Sequence, residues 1–328
     1  MVNIIFSIGE SVSEYHITGS NCRSNARNVF TKYRRKGLLI SLYHAFIKLL
    51  QSRLEVLRAW PFAAVIGSFI ATGGTPQAVP TILVFISVFF VSFSVYAYND
   101  ILDAKWDAMN AVKKKRPLPM GDVSPKEAWM LVWMTGGAGL LIALAINWQT
   151  FLLTLAYFLL FTIYSLPAIR LKKRFLCKEI VIAFAFPLLM FAGAYAVTAR
   201  FSEAVLYTGL IIMFFMIMGQ PAMNDIFDVK EDKKAGVRSL SILLPWKYAL
   251  ALWITGVCGS LLFMVLLVRF AGFDPALVWL MSPLTLLYLP VTLQLLKSAE
   301  IDNILKAKTI SHVYVVFMQI FFIFTAPV

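Results

Sequence analysis

The chain has 328 residues, 60% of them hydrophobic and 14% charged, with a formal net charge of +13. A water-soluble domain of that length needs a polar surface that such a composition cannot supply, so the sequence reads as an integral membrane protein. The positive charge does not mark a nucleic-acid binder, because the basic residues fall in short segments between apolar runs, where they act as topology signals.

Residues 1–37 mix Ser, Asn and Arg, show no apolar run followed by a small-residue cleavage site, and turn basic at Lys32, Arg34, Arg35 and Lys36. They read as a basic cytoplasmic arm that meets anionic lipid, and residues 38–328 as a single transmembrane domain. From Leu38 to Leu57 the residues Leu39, Leu42, Phe46, Leu49 and Leu50 recur at helical spacing, which suits an amphipathic helix lying at the interface. Nine apolar runs follow, at about 59–76, 79–98, 127–147, 149–166, 177–198, 203–223, 247–268, 275–296 and 309–327. A bilayer crossing needs roughly 20 such residues. The first run is the weakest, because Gly73, Gly74 and Pro76 shorten it. The expected fold class is all-α, a polytopic bundle of about nine transmembrane helices.

The connecting segments alternate in charge. Lys105, Lys113, Lys114, Lys115, Arg116 and Lys126 follow the second run; Arg170, Lys172, Lys173, Arg174 and Lys178 follow the fourth; Lys230, Lys233, Lys234, Arg238 and Lys247 follow the sixth. The opposite side carries only Arg200 and Arg269. The positive-inside rule then places the N-terminus and these three loops in the cytoplasm, and the C-terminus outside.

One stretch is repeated. Asn99-Asp-Ile-Leu-Asp-Ala-Lys-Trp-Asp107 recurs as Asn224-Asp-Ile-Phe-Asp-Val-Lys-Glu-Asp232, each copy after an even-numbered run and so on the same membrane face. Parallel repeats in a membrane bundle commonly share a site at their interface. On a helix, Asn99, Asp103 and Asp107 lie on one face, as do Asn224, Asp228 and Asp232. Carboxylates at that density repel unless cations stand between them, and hard oxygen donors suit Mg²⁺, which binds through one or two carboxylates plus substrate phosphates. Carboxylate, metal and neighbouring Lys or Arg together form a holder for a diphosphate and for the charge of one that departs. Solvated helix ends would explain one copy, but explain two matched copies poorly. Cys22, Cys177 and Cys258, like His16, His44 and His312, are scattered, so they outline no disulfide framework and no thiolate or imidazole metal site.

The pattern Asn99-Asp-x-x-Asp103-x-x-x-Asp107, with Arg116-Pro117-Leu118-Pro119 and Gly121 after it, resembles the first signature of the UbiA superfamily of intramembrane prenyltransferases. Asp228-x-x-x-Asp232 with Gly236 and Ser239-Leu240 resembles the second, Tyr164-Ser165-x-Pro167 with Arg170-Leu171-Lys172 resembles the end of the family's fourth span, and Arg58 before Pro61 resembles the arginine that opens the first. The resemblance covers about residues 50–325. It implies that Asn99, Asp103, Asp107, Asp228 and Asp232 hold Mg²⁺ and diphosphate. Arg116, Lys172 and Arg58 would contact phosphate oxygens, Asn224 would join the substrate-binding set, and Tyr164 and Ser165 would lie at the reactive end of the prenyl chain. Asp100 and Asp225 sit off the main face. Trp60, Trp106 and Trp246 read as membrane-interface anchors.

The function implied is Mg²⁺-dependent ionisation of a prenyl diphosphate and transfer of the prenyl group to a lipophilic acceptor, aromatic or a quinone precursor, that enters from the lipid bilayer. A terpene cyclase of the same type, in which the substrate's own double bonds quench the cation, is the alternative; product formation without added acceptor separates the two. A cation transporter would place its acids nearer mid-bilayer and would not crowd them with Lys and Arg. The interval from Asp107 to Pro117 resembles quinone- and haem-type members, whereas Asn224-Asp225 resembles the chlorophyll and menaquinone branches, so the acceptor stays open.

Overall fold

The computed structural model describes residues 37–110, 113–174, 176–218, 240–297 and 301–327, and the regular structure among them is entirely helical. In chain order the main helices are α1 (Leu38–Leu57), α2 (Ala59–Ala71), α3 (Ala78–Asp107), α4 (Pro125–Ile146), α5 (Trp148–Ser165), α6 (Cys177–Thr198), α7 (Glu203–Met218), α8 (Trp246–Phe270), α9 (Ala276–Leu286), α10 (Tyr288–Lys297) and α11 (Ile301–Thr325). Each of the nine apolar runs thus carries helix among the described residues. Seven spans among the described residues are long and apolar enough to cross a membrane: α3, α4, α5, α6, α8, α9 with α10, and α11. The bent pair α1–α2 would make an eighth, and α7 is described only over a shorter 16 residues. The 59–76 run is curtailed as its glycines foretell, since α2 ends at Ala71 and Gly73 and Gly74 both take positive φ.

α3 is the axis of the site. Its 30 residues extend about 45 Å at 1.5 Å each, against a hydrocarbon core of about 30 Å. One continuous helix therefore carries the apolar span and, at its end, Asn99, Asp100, Asp103 and Asp107. Returning chain starts at a capping box: the Ser124 side chain accepts from the Glu127 N–H, and the Glu127 carboxylate accepts from the Ser124 N–H, at 3.2 and 2.9 Å. α5 starts at Asn147, whose Oδ1 accepts from Thr150 N–H and whose Nδ2 donates to the Tyr195 carbonyl of α6. It stops at Ser165, two residues before Pro167, a residue that disfavours helix at the position preceding it. The ends of α3 and α5 and the start of α4 thereby share one face.

Packing depends on small residues where backbones touch. A Cβ on Gly67 of α2 would lie 1.9 Å from the Met190 carbonyl oxygen of α6, and one on Gly193 of α6 would lie 1.7 Å from the Ala64 carbonyl oxygen. Helices without a hydrophobic driving force between them associate through such contacts, and Ser68 Oγ donates across this one to the Gly193 carbonyl at 3.0 Å. The later helices enclose a second buried set: Trp253 Nε1 donates to Ser311 Oγ at 2.9 Å, and Tyr314 stacks on Phe215 of α7. Outward apolar side chains such as Trp133, Trp279 and Phe324 are exposed, as lipid-facing positions require.

Trp60 departs from the sequence expectation. It is buried, not an interface anchor, with its Nε1 donating to the Tyr96 hydroxyl at 2.9 Å and its ring against Tyr157, Phe161 and Phe186. The α1–α2 bend turns it inward. Trp106, 41% exposed with Lys173 over its ring at 5.4 Å, keeps a surface position.

Candidate active site

Asn99, Asp103 and Asp107 share the expected face of α3, and two loops close on them. After α3 the chain runs through Lys113–Lys115 to an extended Arg116; Pro117–Met120 then forms a single helical turn, capped by Gly121 at φ 77°. A left-handed residue at this position suits glycine, which has no Cβ to clash. The turn aims Arg116 back at α3, where Nη1 lies 2.6 Å from Asp107 Oδ2 and 3.7 Å from Asp100 Oδ1.

The segment after α5 supplies the rest. Ser165 Oγ donates to Asn99 Oδ1 at 2.9 Å. Lys172 Nζ donates to the same amide oxygen at 2.9 Å and to both Asp103 oxygens at 2.6 Å. Arg170 adopts the left-handed conformation, φ 46° and ψ 58°, and its Nη2 lies 3.2 Å from Asp103 Oδ1. That backbone costs a non-glycine residue on the order of 1–2 kcal/mol, and such strain concentrates at functional sites. Arg170 Nε is buried with no hydrogen-bond partner among the described residues, a donor left over for an anion. Burial pushes the Lys172 ammonium below its ordinary pKa, while Asp103 beside it pulls the other way.

Below Asn99 the environment turns aromatic. Tyr164 is half-buried with its ring 5.8 Å from Phe161; the Phe161 ring meets Trp60 and Tyr157, and Trp60 meets Phe186. Ring faces at this level can stabilise a positive charge through their quadrupoles. The structure therefore sets a charged mouth on a packed aromatic cluster.

Seven site candidates of the sequence are brought together: Asn99, Asp103, Asp107, Arg116, Tyr164, Ser165 and Lys172. Arg58 is not. It is exposed at the α1–α2 junction, apart from this cluster. Asn224, Asp228 and Asp232 lie outside the described residues. Two residues absent from the candidate set enter the cluster: Arg170, and Arg53 of α1, which pairs with Asp100. A signal for Arg53 was present, because it interrupts the apolar stripe of α1 in register with Leu49 and Leu57.

Among the described residues no three His, Cys, Asp or Glu side chains stand together as a metal site; Asp103 is met by Lys172 and Arg170, and Asp107 by Arg116. The donor set still suits a hard divalent cation: an amide oxygen and two carboxylates on one helix face, at the mouth of the bundle. Such an ion takes few protein ligands and completes its shell with water and phosphate. The surrounding Lys and Arg side chains stand where phosphate oxygens could take the place of the carboxylates as their partners.

Comparison with known proteins agrees with this geometry. The model of the UbiA prenyltransferase family matches residues 59–322. The chain is similar to the digeranylgeranylglyceryl phosphate synthase of Pyrococcus horikoshii, 29% identical over 204 residues that cover 62% of this chain and 70% of that protein. It is also similar to the protoheme IX farnesyltransferase of Aromatoleum aromaticum, 35% identical over 117 residues, or 35% and 38% of the two chains. Among solved structures, a digeranylgeranylglyceryl phosphate synthase aligns with TM-score 0.68 at 22% identity, covering 87% of this chain and 98% of its own. A UbiA homologue from Archaeoglobus fulgidus bound to GPP and Mg²⁺ aligns with TM-score 0.61 at 20% identity, covering 85% and 99%. The fold and family model thus define a multi-pass membrane prenyltransferase. The chain belongs to the UbiA prenyltransferase family.

Proposed function

We propose that this prenyltransferase ionises an isoprenoid diphosphate at the mouth formed by α3 and the two basic loops, and passes the prenyl group to a lipophilic acceptor. The observation that carries this is the convergence of Asn99, Asp103 and Asp107 with Arg116, Arg170 and Lys172, next to the aromatic cluster that Tyr164 and Phe161 join. The GPP and Mg²⁺ held by the Archaeoglobus homologue support the same substrate class here.

In this reading Asn99, Asp103, Asp107, Asp228 and Asp232 would hold Mg²⁺, and Asn224 would join the substrate-binding set. Mg²⁺, when bound, supplies positive charge against the diphosphate oxygens. Lys172, Arg170 and Arg116 turn from their carboxylates to phosphate oxygens, so that the leaving group meets donors already in place. The bond between prenyl C1 and the bridging oxygen breaks with its electron pair going to diphosphate. Tyr164, Phe161 and their neighbours face the allylic cation and exclude water, and Ser165 keeps Asn99 oriented. The acceptor's nucleophilic atom then bonds to C1 and gives up its proton to the released diphosphate, which serves as the base. By the positive-inside charge distribution, this mouth opens to the cytoplasm.

Mass spectrometry of products from purified protein, Mg²⁺, prenyl diphosphates of several lengths and a membrane lipid extract tests the proposal. It expects a prenylated lipid that disappears with EDTA. No product at any chain length, or undiminished product in EDTA, would overturn it.

A further inference from the structure

Arg53 occupies a place on α1 where the sequence pattern calls for an apolar residue. Leu42, Ala45, Leu49 and Leu57 line the buried face, and Arg53 falls midway between the last two. A guanidinium there costs several kcal/mol unless it is paired. Its partner is Asp100 of α3: Nε donates to Oδ2 at 3.2 Å and Nη2 to Oδ1, in a two-pronged contact whose side chains are 14% and 4% exposed. The guanidinium also lies over the Tyr96 ring at 5.6 Å. Arg116 stands beside the same carboxylate, 3.7 Å from Asp100 Oδ1 while 2.6 Å from Asp107 Oδ2. Which acid Arg116 joins depends on whether Asp100 is already neutralised.

We propose that Arg53 is a positioning residue for the transfer reaction: by holding Asp100 it leaves Arg116 on the Asp107 side, free to meet the diphosphate. Without Arg53, Asp100 is a buried charge lacking its main partner, and Arg116 is the next cation within reach. The amphipathic helix, which lies outside the repeat, thereby becomes part of the site's electrostatics. Lys48 to Asp122 at 2.9 Å and Ser41 to Glu127 fasten α1 independently of Arg53, so replacing Arg53 does not by itself release the helix.

The inference rests on the diphosphate reading above, and its test separates the two. Affinity for inorganic diphosphate with Mg²⁺ by calorimetry, and kcat and KM for a prenyl diphosphate, are measured for the wild type, R53A, R53A/D100N, R116Q and R53A/R116Q. R53A should weaken diphosphate binding and raise KM by about tenfold, the scale of one charge-assisted hydrogen bond, with a smaller change in kcat. R53A/D100N should return close to wild type, because both halves of the pair are neutral. R53A/R116Q should be no worse than R116Q, as residues acting through one another are non-additive. A purely structural Arg53 would instead lower activity equally in both backgrounds. If R53A does not yield folded protein, R53Q takes its place in every comparison. Wild-type affinity in R53A, no recovery in R53A/D100N, or additivity with R116Q would overturn the assignment. A wild-type protein that neither binds diphosphate nor forms product would overturn the diphosphate reading itself.

Discussion

At the scale of single residues, Asp103 is heavily engaged, held by Lys172 on both oxygens and by Arg170 on one. Its side chain is 19% exposed and supports little apolar packing. Asp103→Asn should therefore lower turnover by about a hundredfold or more, the scale of lost transition-state charge stabilisation, while shifting the melting temperature in detergent by only a few degrees. Steady-state rates and a thermal melt on the same preparation check this; near-native turnover would remove Asp103 from the chemistry. Asn99, Asp103 and Asp107 were legible in the sequence because four-residue spacing on a helix fixes a common face. Arg116, Ser165 and Lys172 were legible through motifs whose local backbone carries them back to α3. Arg53 was not, since an arginine on an amphipathic helix reads as a headgroup contact until the fold brings Asp100 against it. Trp60 was misread for the same reason: an indole near a span's start suits an interface until the α1–α2 bend turns it into the core.

At the scale of elements, the helical spans followed from hydropathy, seven or eight of them among the described residues against about nine expected, but the contacts between helices did not. Nothing in the apolar runs at 59–76 and 177–198 announces that Gly67 and Gly193 let α2 and α6 meet backbone to backbone. Gly193→Ala should destabilise the detergent-solubilised protein by about 1–3 kcal/mol, as overpacking does, read as a lower melting temperature. An unchanged melt would mean that α2 and α6 are spaced more widely than described. The register of the loops makes a second prediction at this scale. Single cysteines placed at Lys114 and Lys173, which belong to the two loops that converge on α3, should be labelled by an impermeant maleimide from the same, cytoplasmic, face. Labelling of the pair from opposite faces would separate Arg116 from Lys172 and dissolve the site.

At the scale of the whole molecule, the repeat proposes more than any single helix can. Asn99–Asp107 and Asn224–Asp232 are distant in sequence, and the second copy lies outside the described residues, so their meeting is carried by the repeat, the shared loop charge and family membership. The relatives include digeranylgeranylglyceryl phosphate synthases and protoheme IX farnesyltransferases, so family membership leaves the acceptor as open as the conflicting motif spacings did. The most direct measurement is single-turnover release of diphosphate, at saturating Mg²⁺, from Asp107→Asn, Asp232→Asn and the double variant. If both motifs clamp one metal–diphosphate cluster, either substitution disables the same ionisation step, and the double variant is barely slower than the slower single one. Losses that add in the logarithm of the rate, with each single variant keeping substantial activity, would show that the two helix ends never share a ligand.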